Sequence, residues 1–119
     1  MSPRDALLPD DEVSQWCASN NWELQNGKIT RQFVFATFSE AFAFMTRVAL
    51  LAEKLDHHPD WSNSWNRVVI EITSHDSGGI TQRCLQLAQG ANDYASKKKH
   101  CVSLLRVIAL RYYVLFRFA

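Results

Sequence analysis

Residues 22–37 read WELQNGKITRQFVFAT. Asn26-Gly27 at the centre supplies two positions that tolerate positive φ, the requirement of a type I′ hairpin turn. A hairpin is therefore predicted, with Trp22–Gln25 as its first arm and Lys28–Phe35 as its second. Ile29, Phe33 and Phe35 share one face of the second arm, with Arg31 between them, and Lys28, Thr30, Gln32 and Val34 share the other. That alternation fits a sheet covered on one side only. Thr37, with Glu40 three residues later, forms a capping box and starts a helix. Ala41, Met45, Val48, Ala52 and Leu55 then recur at helical spacing, and Phe42 and Ala49 widen the stripe. Pro59 stops continuation of that helix and biases His58 toward extended backbone.

A second pair of extended segments follows, Trp61–Trp65 and Arg67–Thr73, with Val68, Ile70 and Ile72 on one face of the latter. The loop Ser74-His75-Asp76-Ser77-Gly78-Gly79 leads to a last helix with Thr81 as N-cap and Leu85, Ala88, Ala91 and Ala95 on one side. Gly90 within it costs about 1 kcal/mol relative to alanine. Upstream, Pro9 and Asp10 open a first helix: Asp10 is the expected N-cap, Asp11 and Glu12 favour the helix dipole, Val13, Trp16 and Cys17 form the apolar stripe, and the end falls near Ser19-Asn20-Asn21. The order αββαββα implies an α+β fold, a four-stranded antiparallel sheet with three helices packed on one face.

The 119 residues, 47% hydrophobic, suffice for one core. The net charge of +1 divides unevenly. Residues 1–96 carry seven Lys/Arg against all twelve Asp/Glu, whereas residues 97–119 carry six Lys/Arg and no acid. Two units are expected: a domain over 1–96, and a basic, apolar C-terminal extension over 97–119 of unassigned role. An acidic body argues against direct nucleic-acid binding. Cys17, Cys84 and Cys101 are odd in number and widely spaced, so neither a disulfide framework nor a zinc-thiolate site is suggested and a reducing compartment is expected. The start, MSPRDALLPDDE, has no apolar h-region and early acids, so no signal or transit peptide is expected. In the extension, Arg106, Arg111 and Arg117 interrupt an otherwise apolar run. Arg111 at mid-bilayer would cost about 2.5–3.5 kcal/mol, which disfavours a membrane span. Attachment to an acidic membrane surface, packing on the body or a neighbouring subunit, and a segment without selected function stay open.

Three of the four histidines fall in two short loops, His57-His58-Pro59-Asp60-Trp61 and Ser74-His75-Asp76. Histidine titrates near neutrality, which suits it to general acid and base work. Solvent-exposed or structural histidines are the competing reading. A metal site built from His57, His75 and Asp60 or Asp76 is a further one, although no HExxH helix or His-x-His strand preorganises it. No nucleophile elbow or phosphate-binding glycine loop is present.

Glu53-Lys54-Leu55-Asp56-His57-His58-Pro59-Asp60-Trp61, then Trp65-Asn66-Arg67-Val68, then Ser74-His75-Asp76-Ser77-Gly78-Gly79-Ile80-Thr81 together resemble the signature of the pterin-4a-carbinolamine dehydratases. Phe42–Ala49 resembles their long helix, and the resemblance covers roughly residues 8–95. It implies removal of water from 4a-hydroxytetrahydrobiopterin to give quinonoid dihydropterin in tetrahydrobiopterin recycling, with no metal or other cofactor. It implies His57, His58 and His75 as catalytic histidines. The substrate-binding set it implies is His57, His58, Pro59, Trp61, Ser74, His75, Asp76 and Ser77, with Trp61 in the pocket wall or the core. The small-molecule partner is a pterin. A homodimer or homotetramer is expected, in the cytoplasm, with the nucleus open as a second location. Some family members bind a homeodomain transcription factor, so a non-catalytic interaction module of the same fold is the alternative function.

Three positions depart from the family pattern. Cys84 stands where an acid is usual, Trp65 where tyrosine is common, and Ser74 where threonine is common. The loss of the acid is expected to lower activity without abolishing it. Restoring it by Cys84→Asp should raise the dehydration rate; an unchanged rate would remove this explanation of the departure.

Overall fold

Asn26 and Gly27 adopt φ values of 52° and 73°. The chain reverses there between β1 (Glu23–Gln25) and β2 (Lys28–Val34), which pair antiparallel with Gln25 opposite Lys28. These positions come from a computed structural model that describes residues 5–96. The expected extension at 97–119 lies outside the described residues.

A second hairpin joins β3 (Asp60–Ser64) to β4 (Arg67–Ile72), with Ser64 opposite Arg67 and Asp60 opposite Glu71. Trp65 carries the turn with φ of 52° and is exposed. The strand order is β1-β2-β4-β3, and β2 lies antiparallel to β4 with Ile29 opposite Ile72 and Phe33 opposite Val68. Residues opposite one another in an antiparallel pair point to the same side. Ile29, Phe33, Val68, Ile70 and Ile72 therefore build one continuous buried face, as the alternation requires. Over the described residues the fold is α+β, a four-stranded antiparallel sheet with three helices.

Helix α2 (Phe38–Leu55) lies across this face. The Thr37 hydroxyl accepts from the Glu40 N–H at 3.2 Å, and the Glu40 carboxylate reaches back to the Ala36 N–H at 3.0 Å, one residue before the cap. Its buried residues are Ala41, Phe44, Val48 and Ala52. Phe42, expected in the stripe, is 57% exposed and stands 6.0 Å from Phe38. Phe44 takes the core position instead, 4.8 Å from Phe33 and 4.9 Å from Phe35. The steps from 41 to 44 to 48 to 52 follow the 3.6-residue period, and Phe42 falls about 100° off that line.

Helix α1 (Asp10–Asn20) buries Val13 and Cys17, with Trp16 half-buried beside them. Asp10 is not its N-cap. Pro9 holds that place in extended backbone, its carbonyl accepts from the Val13 N–H, and Asp10 is the first helical residue. The acids Asp10, Asp11 and Glu12 still occupy the first turn. Helix α3 is described over 82–96, with Cys84, Leu85, Leu87, Ala88 and Ala91 buried. A Cβ on Gly90 would collide with the Leu51 side chain, so the glycine allows α3 and α2 to approach closely. Among the described residues no helix is long and apolar enough to cross a membrane.

Arg31 sits on the core side of β2, an unusual place for a charge. It is half-buried, in the middle of β2 between Ile29 and Phe33. Its guanidinium lies 4.5 Å from the Phe33 ring centroid and donates to Asn92 Oδ1 at 2.5 Å and to the Asn20 carbonyl at 3.2 Å. Burial still lowers its pKa. Asn92 also accepts from the Trp22 indole at 2.9 Å and donates to the Asn20 carbonyl at 3.1 Å. One amide of α3 thus ties the end of α1, the entry to β1 and the middle of β2. An unpaired buried polar group costs about 1–3 kcal/mol. Asn92→Ala strands several at once and should lower the unfolding free energy by about 2 kcal/mol in urea titration. A loss under 0.5 kcal/mol, on the order of a neutral surface change, would show the network to be dispensable.

Candidate active site

The register of β3 against β4 decides where the two histidine loops meet. Asp60 opens β3 opposite Glu71 near the end of β4. The segment entering β3 and the segment leaving β4 therefore emerge side by side. The first comes off the end of α2, where Asp56 takes a left-handed φ of 50° and its N–H bonds the Ala52 and Glu53 carbonyls. The second runs through Ser74–Gly79 into α3.

His57 turns inward. Its backbone N–H donates to the Ala52 carbonyl at 3.0 Å, and its Nε2 lies 3.2 Å from Cys84 Sγ. Partial burial lowers the His57 pKa; Arg83, His58 and His75 push it the same way, against Asp5, which raises it. The ring is therefore held neutral further into the acid range than a free histidine. Cys84 is fully buried, and burial pushes its thiol pKa up against hydrogen bonds from Thr81.

His58 and His75 face outward. His58 Nε2 sits 2.6 Å from Glu53 Oε1, and His75 Nε2 sits 3.5 Å from Asp60 Oδ2. Both rings are more than half exposed, so these pairs contribute little to stability. Their consequence is geometric: each carboxylate holds the imidazole beside it in one orientation.

The loop after β4 is tied to itself. The Ser74 carbonyl accepts from the Gly78 and Gly79 N–H groups, the Ser74 N–H donates to the Gly79 carbonyl, and the Ser74 hydroxyl accepts from the Ser77 N–H at 3.4 Å. Gly78 takes φ of 76°, which a side chain would strain. Ser74 is buried, so its hydroxyl serves the loop. The Ser77 hydroxyl donates to the Asp5 carbonyl at 2.8 Å. Asp76 is exposed, and Pro59 is half-buried. Trp61 faces the helix side opposite Ile70 and packs against the core while remaining part-exposed.

Two residues at the site carry no signal in the sequence. Asp5 comes from the segment before α1, which is held by the Leu7–Thr81 bridge and by the Leu8 N–H on the Ile80 carbonyl. Its Oδ1 is buried and lies 3.2 Å from Arg83 Nε, an ion pair set off the angle of a hydrogen bond. Asp5 is far from the histidines in sequence and sits in no periodic pattern. The alternative metal set of His57, His75 and Asp60 or Asp76 is not assembled: among the described residues no three His, Cys, Asp or Glu side chains gather at metal-binding distances. A separate groove of about 580 Å³ lies between the helices, lined in part by Glu12, Trp16, Leu51, Leu85 and Tyr94, and none of the three histidines borders it.

Comparison with known proteins bears on this geometry. The family profile described as "Pterin 4 alpha carbinolamine dehydratase" matches residues 6–94. A Synechococcus sp. (strain WH7803) protein named "Putative pterin-4-alpha-carbinolamine dehydratase" is 56% identical over 87 residues, covering 71% of this chain and 91% of its own. A Rhizorhabdus wittichii protein of the same name is 48% identical over 87 residues, with 71% and 90% covered. The crystal structure of a transcriptional coactivator/pterin dehydratase from Brucella melitensis is similar with a TM-score of 0.72 and 38% identity, over 76% of this chain and 99% of that one.

The inward placement of His57 has a consequence for stability. Its lowered pKa means that the native state binds a proton there less readily than the unfolded chain. Stability contributed by the neutral ring is full above the unfolded value of about 6.5 and is lost as pH falls through it. The urea midpoint should fall between pH 7.5 and pH 5, and His57→Gln should flatten that slope. Equal slopes in the two proteins would place the acid sensitivity elsewhere.

Proposed function

The chain belongs to the pterin-4-alpha-carbinolamine dehydratase family, and on that premise we propose that it dehydrates 4a-hydroxytetrahydrobiopterin by histidine acid/base catalysis, in tetrahydrobiopterin recycling. The observation that carries this reading is the division of labour among the histidines. His57 is inward, neutral and without a carboxylate partner, whereas His58 and His75 each stand beside one, Glu53 and Asp60.

The reaction transfers protons and no electrons. The bond from C4a to oxygen breaks with its pair on oxygen, the oxygen takes a proton and leaves as water, and a ring nitrogen gives up its proton. His58 and His75 are the proton carriers in this reading, because both rings are open to solvent and to a substrate and each is oriented by a carboxylate in contact with it. His57 steadies the leaving oxygen by a hydrogen bond from its neutral ring, a role in which a low pKa is an advantage. Pro59, Trp61, Ser74, Asp76 and Ser77 form or stiffen the pterin-binding walls, and no metal enters any step.

A second reading draws on the Brucella protein, described as a coactivator as well as a dehydratase. Phe38, Phe42 and Leu50 are exposed on α2, a surface suited to contacts with copies of this chain, as a homodimer or homotetramer, or with a transcription-factor partner. Residues 97–119 would then be an appendage to the domain, which we place in the cytoplasm or nucleus.

Ultraviolet absorbance follows dehydration of chemically generated 4a-hydroxytetrahydropterin. The chain should accelerate it above the spontaneous rate, with a chelator making no difference. His58→Ala and His75→Ala should each lower kcat by about 10²-fold or more. No acceleration by the unaltered chain would overturn the enzyme reading, and chelator sensitivity would return the metal alternative.

A further inference from the structure

Cys84 occupies the position next to the inward histidine, its Sγ 3.2 Å from Nε2. A thiol and a carboxylate differ in one respect that matters here. The carboxylate only accepts hydrogen bonds, whereas the thiol carries a proton of its own.

The contacts around Sγ decide where that proton goes. The Thr81 N–H donates to Sγ at 3.4 Å, and Thr81 Oγ1 lies 3.5 Å from it. Thr81 is fully buried, so its hydroxyl proton needs an acceptor, and Sγ is the partner in reach. With both Thr81 donors directed at sulfur, the thiol proton points to the third neighbour, His57 Nε2 at 3.2 Å. Every donor in the cluster is then satisfied. The reverse arrangement, with the thiol donating to Thr81, leaves the Thr81 hydroxyl proton buried and unpaired, at about 1–3 kcal/mol.

We propose that Cys84 is the positioning residue for His57: its thiol proton, directed to Nε2, selects the ring tautomer that carries hydrogen on Nδ1 and presents it as a donor to the substrate. This rests on the reading of His57 as a group that touches the pterin. The consequence for the ring is twofold. Its Nε2 lone pair is occupied, and the adjoining sulfur offers no charge to stabilise an imidazolium. The groups whose charge acts on it are Asp5 from the N-terminal segment, Arg83 from α3, His58 from the segment between α2 and β3 and His75 from the loop after β4. Asp5 is the single anion among them, and it is paired with Arg83. The low pKa of His57 agrees with that balance. Replacing the thiol by a carboxylate would reverse the hydrogen bond, move the proton to Nε2 and turn Nδ1 into an acceptor, so Cys84→Asp withdraws the donor and should lower the dehydration rate, against the gain expected from the sequence pattern alone.

Long-range ¹H–¹⁵N correlation on the full chain labelled at histidine reads the tautomer directly. The unaltered protein at pH 8 should show His57 protonated on Nδ1, and Cys84→Ser, which retains a donor, should keep that pattern. Cys84→Ala should lose the tautomer bias, and Cys84→Asp should show Nε2 protonated with the His57 titration moved to higher pH. The kcat/KM profile of Cys84→Asp should move its acid limb in the same direction, a change that a merely structural role for Cys84 would not produce. An Nε2-protonated ring in the unaltered protein, or an unchanged tautomer in Cys84→Asp, would overturn the proposal. The spectra need no turnover. Absence of dehydration with the expected tautomer would overturn the function proposed above and leave the thiol's role standing.

Discussion

The antiparallel pairing of β2 with β4 is the contact on which the rest of the molecule depends. It joins residues 28–34 to 67–72 and closes a loop that contains all of α2 and β3. Each strand buries alternate residues, so a slip of one position would turn Ile29, Phe33, Val68, Ile70 and Ile72 to solvent together. That penalty pins the register. With the register set, each central strand carries its own hairpin partner outward, β1 on one edge and β3 on the other, and α2 crosses the face between them. Burial of one such side chain is worth about 1.5–3 kcal/mol, so the pairing of two alternating strands under a helix far outweighs the local preferences of the loops.

The site inherits its layout from that register. Because β3 runs beside β4, the loop that enters one and the loop that leaves the other share an end of the sheet, and α2 and α3 contribute the residues behind them. Neighbouring histidines then fall into unlike surroundings. His57 is the residue at which the chain turns off the helix toward the core, and it meets Cys84. His58, one position later, points to water and Glu53. Adjacent residues of an extended segment face opposite ways, and here that elementary alternation separates a desolvated imidazole from a solvated, carboxylate-paired one.

Much of this was legible in the chain. Asn26-Gly27 announced the first hairpin, Thr37 and Glu40 the start of α2, and the alternation of Val68, Ile70 and Ile72 the central strand, because each is a local signal with a local cause. The misreadings share a different origin. Phe42 and Phe44 are equally apolar, and only contact with Phe33 and Phe35 selects Phe44. Asp10 is a good capping residue, but Pro9 before it had already set the chain in extended backbone. Asn92 offers no local signal at all, and its three-way tie exists only because Asn20, Trp22 and Arg31 converge on it in the fold. Asp5 and Arg83 carry no pattern, since an ion pair between distant residues leaves no periodic trace.

The amino-acid sequence by itself determined the number and kind of elements, the single buried sheet face and the two loops that carry the histidines. These follow from backbone preferences and from the period of apolar residues, and both act over a few neighbouring positions. The tertiary structure decided which histidine is partly buried, which carboxylate stands beside each of the others, and that the Cys84 thiol backs His57. Those outcomes depend on desolvation and on distances between residues tens of positions apart. Such quantities come into being only when the chain has closed around its core.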